Sequence, residues 1–230
     1  MKDQRTLVQY LYEGAEITNL SAEITPPKTS ISNGGILILE NRGTVSHVVL
    51  RTKLDNQLGN YTVGGIARTN YGTIDRFAVE LTGKFYVQSN AGAVAGTNYG
   101  QITNGYVVGQ EGSTMIVDQA AVGQNDRSNR GGIAGNNANG RIEHVYSVLV
   151  VEDHFGENGG KEPSGTEYAG LVAGRTSGEV SHAFGVGMVL KNDVPLKTNG
   201  PVLGSVSGKT SQIRLCRDPG LLGCFTTIIF

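Results

Sequence analysis

The sequence predicts an all-β chain: a parallel β-solenoid (β-helix) of about six coils with two loop insertions. Three observations carry that expectation. The first is self-similarity: the run Gly92-Ala-Val-Ala-Gly-Thr-Asn-Tyr-Gly-Gln-Ile-Thr-Asn-Gly-Tyr-Val-Val-Gly109 returns over Gly65–Val79, Gly132–Val148 and Gly170–Val186, and more loosely over Gly35–Leu50. A repeat period of about 20–50 residues marks a stack of like units, each burying its apolar face on the next. The second is the length of the apolar runs. Stretches such as Ile36–Leu39 and Tyr146–Val151 are short, partly β-branched and closed by turn residues, and no 3.6-residue period survives between glycines. The third is the 34 glycines among 230 residues, about twice the usual ~7%. A coil must turn at the same point on every rung, and glycine fits such corners. A meander of antiparallel hairpins is the alternative architecture.

The elements follow in chain order. Residues 1–30 read as a lead-in or N-terminal cap coil: Leu7–Tyr12 is a short apolar-aromatic run, and Ala15–Ile24 matches the second half of a repeat. Pro26 and Pro27 then interrupt regular pairing, because proline donates no ladder hydrogen bond. The repeats fill residues 31–213. Taking the residue after each Gly-x pair as an anchor picks out Ile17, Val45, Ile74, Ile102, Ile142 and Val180, with a degenerate Ile213. Gly35, Gly65, Gly92, Gly132 and Gly170 open the units nine or ten residues before their anchors. Extra length falls in two polar insertions, Gln110–Asn129 and Glu152–Tyr168. The segments Asn41–Gly43, Asn70–Gly72 and Asn98–Gly100 read as tight turns that tolerate positive φ. Residues 214–230 leave the repeat idiom and form an atypical hydrophobic tail, with Cys216 and Cys224.

Composition excludes some classes of function. The formal net charge is −1 and 17% of residues are charged, so bulk electrostatics recruits neither nucleic acid nor an anionic membrane. No run approaches the ~18 apolar residues of a membrane span. Two cysteines make no disulfide framework. The opening Met1–Arg5 has no apolar core of a signal peptide.

The segment Gly92–Tyr106 resembles the GLUG motif, and so does Gly131-Gly-Ile-Ala-Gly-Asn-Asn-Ala-Asn-Gly-Arg-Ile-Glu-His-Val-Tyr146. The resemblance covers roughly residues 31–190. GLUG repeats occur in streptococcal immunoglobulin A1-specific zinc metallopeptidases and related bacterial surface proteins. The resemblance therefore implies an extracellular or cell-surface module of a larger parent polypeptide, with host protein or glycan as possible partners. Those peptidases use His-Glu-x-x-His, which places two ligands one helical turn apart beside a general base. None of the four histidines here has that spacing. No catalytic residue, metal ligand or cofactor is assigned within this chain, and zinc is expected only in the catalytic part of such a parent. The expectation is a non-catalytic spacer or recognition arm; an adhesin, or a β-helix carbohydrate-active enzyme, are the alternatives.

Candidate binding residues are few. Tyr106, Tyr146 and Phe184 stand four residues past their anchors and should stack rung on rung, as a structural ladder or as a strip for sugar or peptide. His154, with Glu152, Asp153 and Glu157, is a metal or contact candidate in the second insertion. His47, His144 and His182 share the place two residues past the anchor with Asn19, Arg76 and Asn104, and read as a polar column; a metal site there would want His144 and His182 on adjacent rungs with a third ligand, and none is assigned. The acids Asp75, Glu143 and Glu179 are assigned to the position after the anchor and read as one solvent-facing column. The segment Gly204–Thr210 imitates a phosphate-binding loop but has the wrong glycine spacing and no helical pattern after it.

Overall fold

The computed structural model describes residues 6–25, 35–59, 62–87, 89–110, 114–118, 129–154, 168–191, 194–195 and 202–216. They form strands throughout, arranged in three sheets. A middle sheet stacks seven short strands, from Val8–Leu11 through Ile38–Asn41, Ala67–Asn70, Ala95–Asn98, Ala134–Asn137 and Ala173–Thr176 to Leu203–Val206. A long sheet stacks Glu16–Ile24, Thr44–Gly59, Thr73–Val87, Gln101–Gly109, Arg141–His154, Glu179–Lys191 and Lys209–Cys216 in the same order. A narrow sheet holds Val63–Gly64, Ala91–Gly92, Asn129–Gly131 and Tyr168–Gly170. Among the described residues every strand pairing is parallel except the short return of Val194–Pro195 onto Leu190 and Lys191. The chain is a parallel β-solenoid. Pairing between equivalent strands of successive repeats requires this winding, because two parallel neighbours cannot be joined by a tight hairpin.

The core is written in columns. Val45, Ile74, Ile102, Ile142 and Val180 pair in register along the long sheet and are buried. At the bend before the middle sheet, Ile66, Val94, Ile133, Val172 and Val202 stack through backbone hydrogen bonds of 2.8–3.1 Å, and the Leu37 N–H donates to Gly65 O on the next rung. Large and small residues complement each other between rungs: the ring of Phe77 fills the space where a side chain on Gly105 would stand.

A third column is polar and buried. Asn41 Nδ2 donates to Asn70 Oδ1 at 2.7 Å, and Asn70 Nδ2 to Asn98 Oδ1 at 2.8 Å. Asn98 Nδ2 donates to Asn137 Oδ1 at 2.8 Å, and Asn137 Nδ2 to Thr176 Oγ1 at 2.9 Å. The spacing alone reads Asn41, Asn70 and Asn98 as turn residues that tolerate positive φ. They lie outside the left-handed region and serve instead as a ladder, which satisfies polar atoms that burial would otherwise leave unpaired. The glycines two residues on are corrected likewise: their φ is not left-handed, and glycine is needed because the rungs touch. A Cβ on Gly72 would meet the carbonyl oxygen of Gly43, and one on Gly100 that of Gly72.

The register corrects the repeat boundaries. Gly64, not Gly65, pairs with Gly92, and Gly131, not Gly132, continues to Gly170. Thr210, not Ile213, lies beside Val180, while Ile213 pairs with Ala183. The Gly208-Lys209 pair, read by the same rule as the other anchors, points to Thr210. The last strand therefore runs past the expected boundary to Cys216; Cys224 lies outside the described residues. Within the first insertion, Thr114–Asp118 pairs with both Thr73–Val87 and Arg141–His154, and so prolongs the rung of Gln101–Gly109. Glu152, Asp153 and His154 belong to a strand rather than to the second insertion.

Candidate functional site

The position two residues past each anchor is the chemically most distinctive place on the surface. Asn19, His47, Arg76, Asn104, His144, His182 and Gln212 all have φ between 49° and 57°. The ladder pairings skip each of them, so one left-handed residue bends the long strand on every rung. That conformation costs an L-residue roughly 1–2 kcal/mol, and Asn and His are enriched among residues that adopt it. The bend turns all seven side chains outward.

The residue just before the bend serves the bend of the next rung. Asp75 Oδ1 accepts from Thr103 Oγ1 and Asn104 Nδ2, both at 2.7 Å. Burial alone would raise the Asp75 pKa; the hydrogen bonds from Asn104 and Thr103, with Arg76 and His47 nearby, outweigh it and hold the carboxyl below its ordinary value. Glu143 repeats the arrangement. Its Oε2 meets Arg141 Nη2 at 2.5 Å and its Oε1 faces His182 Nδ1 at 3.7 Å. The His144 and His182 rings stack at 4.6 Å, 25° from coplanar. The donor atoms of Glu143, His144 and His182 lie within 4.8 Å of one another. Glu179 does not continue the acid column: it pairs with Arg141 and Lys209, one place before the anchors.

The predicted aromatic ladder is present in part. Tyr106 and Tyr146 stack at 5.0 Å and 10°, and Phe184 follows Tyr146 in register. Burial, with Tyr106 adding to it, pushes the Tyr146 hydroxyl pKa up. The two tyrosine rings turn faces toward each other, so those faces are closed to a sugar and edges are presented outward. His154 ends its strand eight residues beyond Tyr146, about 26 Å along the backbone. Tyr106, Tyr146 and Phe184 thus share one register along the long sheet, and the side chain of His154 lies outside the described residues.

A second aromatic edge was not anticipated. Tyr71 and Tyr99, the middle residues of two Asn-x-Gly segments, stack at 4.9 Å and 6°, and each is 45% exposed. The Arg42 guanidinium lies 4.8 Å from the Tyr71 ring centre, and Tyr12 stands on the rung before. Arg42 Nε also bonds Glu40 at 2.6 Å, which raises the Arg42 pKa further. The signal was legible in the spacing: the middle residue of each Asn-x-Gly segment must point outward if its neighbours are buried.

Residues Gly204–Thr210 carry no phosphate-binding geometry: Leu203–Val206 and Lys209–Cys216 are rungs of the solenoid, with no helix between them. No helix of the described residues is long and apolar enough to cross a membrane. Comparison of the chain with profiles of known protein families, with curated proteins and with solved structures finds no match.

Proposed function

We propose that the chain is a non-catalytic, rigid spacer or recognition arm of a secreted or cell-surface bacterial protein. On the motif resemblance, the parent is an immunoglobulin A1 protease-like zinc metallopeptidase. The observation that carries the spacer reading is the continuous register of the anchor column along the long sheet, from Ile17 beside Val45 to Val180 beside Thr210; the one shift, at Asp55–Gln57, lies beyond the anchors. Repeat-borne side chains are spent on their neighbours: the asparagines on asparagines, Tyr106 on Tyr146, Asp75 on Thr103 and Asn104. A rod of this kind sets a distance. Among the described residues, seven rungs about 4.8 Å apart span roughly 30 Å.

The test removes one whole coil, residues 64–91, so that Val63 joins Gly92 in the register already present. A spacer should fold with the same circular dichroism and shorten by about 4.8 Å in small-angle scattering. Turnover of a polysaccharide or peptide panel by the purified chain would overturn the reading.

One observation favours an adhesin as the second reading. Tyr12, Arg42, Tyr71 and Tyr99 make an exposed edge over four consecutive rungs, and Tyr and Arg are the residue types that anchor protein interfaces. Stacked rings that present edges suit a protein partner better than a sugar. Chain-coated beads should bind host matrix proteins and lose at least tenfold in adhesion with Tyr71→Ser and Tyr99→Ser combined; equal adhesion removes this reading.

A further inference from the structure

The left-handed bend explains why the column two residues past the anchor is polar. It does not explain why two consecutive rungs carry histidine there. Other rungs use Asn19, Asn104, Arg76 and Gln212 in the same backbone conformation, so histidine is one of several residues the fold accepts. His144 and His182 are neighbours, both exposed, with their rings 4.6 Å apart. A half-buried carboxylate, Glu143, stands beside them on the strand that carries His144.

We propose that Glu143, His144 and His182 form a binding site for a divalent transition-metal ion of the zinc class, held across two adjacent rungs. The donor set selects the chemistry. Two imidazoles and one carboxylate suit Zn2+ and its neighbours Ni2+ and Cu2+. Calcium wants six or more oxygen ligands, and only one of these three residues offers any. Three protein ligands leave at least one position for water.

The scaffold supplies most of the organisation. The ladder holds the backbones of the two histidines on successive rungs, about 4.8 Å apart, and the shared φ near 50° aims both side chains the same way. Arg141 holds Oε2 of Glu143 and leaves Oε1 turned toward His182. Ligand bonds of about 2.0–2.2 Å place donors around one ion about 3.0–3.5 Å apart. The separation of up to 4.8 Å closes by rotamer changes of the exposed imidazoles, a motion of exposed side chains on the picosecond-to-nanosecond scale that needs no backbone movement. His47 shares the column but has Asn19 and Arg76 on its flanking rungs, so it lacks a second histidine.

The test is calorimetric titration of the untagged, chelator-treated chain with Zn2+, with circular dichroism to verify folding. Wild type should take up one ion at this site. Asn19 and Asn104 hold the same bend, so His144→Asn and His182→Asn keep the backbone while deleting a ligand. Each, and Glu143→Gln, should weaken zinc binding at least tenfold, while His47→Asn should leave it unchanged. Zinc should also raise the thermal midpoint of wild type and not that of the doubly substituted His144→Asn, His182→Asn chain. Absence of saturable uptake by wild type overturns the proposal, and so does unchanged uptake by the double variant, which would place the ion elsewhere.

Discussion

At the scale of single residues, the left-handed column separates what a bend needs from what its side chains do. His47 makes the separation measurable, because its side chain is exposed and its φ is 54°. His47→Gly should leave stability unchanged or raise it by up to about 1 kcal/mol, since glycine adopts this conformation without strain but loses more freedom on folding. His47→Val should lower stability, since a β-branched residue tolerates positive φ less well than histidine does. Denaturant titration of the three proteins distinguishes the outcomes; equal losses for both variants would mean that the imidazole, not the bend, matters. Asp75 adds a pH dependence. Its folded-state pKa lies below the ordinary carboxyl value, so its contribution is present above the unfolded pKa of about 3.9. That contribution is lost as pH falls through the folded value. Asp75→Asn should therefore flatten the fall in stability between about pH 5 and pH 3. A wild-type slope retained in the variant would contradict the assignment.

At the scale of the element, stability resides in columns that run across strands. Asn98 accepts from Asn70 and donates to Asn137. Asn98→Ala leaves a buried donor on one rung and a buried acceptor on the next, and each unsatisfied group costs about 1–3 kcal/mol. The loss should be about 2–5 kcal/mol in a chemical melt, well above the ~1 kcal/mol typical of a point substitution. Gly72→Ala tests the contact between rungs. A methyl there meets the Gly43 carbonyl oxygen, which belongs to backbone and cannot rotate away. The variant should lose more than about 1–3 kcal/mol or force the rungs apart, read by melting and by protease sensitivity near the Asn70–Gly72 turn. These two columns share one sequence signature, Asn-x-Gly, and the ladder and the contact each use one end of it.

At the scale of the whole molecule, each rung touches only its neighbours, so stability accumulates along the rod by nearest-neighbour terms. The long-sheet strands Glu16–Ile24 and Lys209–Cys216 each have one partner among the described residues, whereas Thr73–Val87 and Arg141–His154 lie between two. Amide exchange should accordingly be fastest in the two outer strands and slowest in the central rungs. Uniform protection along the rod would indicate covered ends. The parallel winding also sets the function we propose, since a repeated rise converts coil number into length.

Much of this was legible in the chain because a stacked fold writes its constraints once per turn. The anchors Ile17, Val45, Ile74, Ile102, Ile142 and Val180 stand in one register, and the spacing of apolar runs determined both the strand content and the repeat. The histidine column was also visible as a shared position. Other features were not, because they depend on which atoms meet between rungs. Periodicity shows that Asn41, Asn70 and Asn98 recur, but burial and a side-chain ladder follow only once the rungs lie close enough to exchange hydrogen bonds. It shows that glycine recurs, whereas contact with the previous rung, rather than positive φ, is a fact of packing. The sequence by itself determined a solenoid of repeating coils. The tertiary structure alone decided that His144 and His182 face each other beside Glu143, because the side chains are brought together by the rise between rungs and not by their distance along the chain.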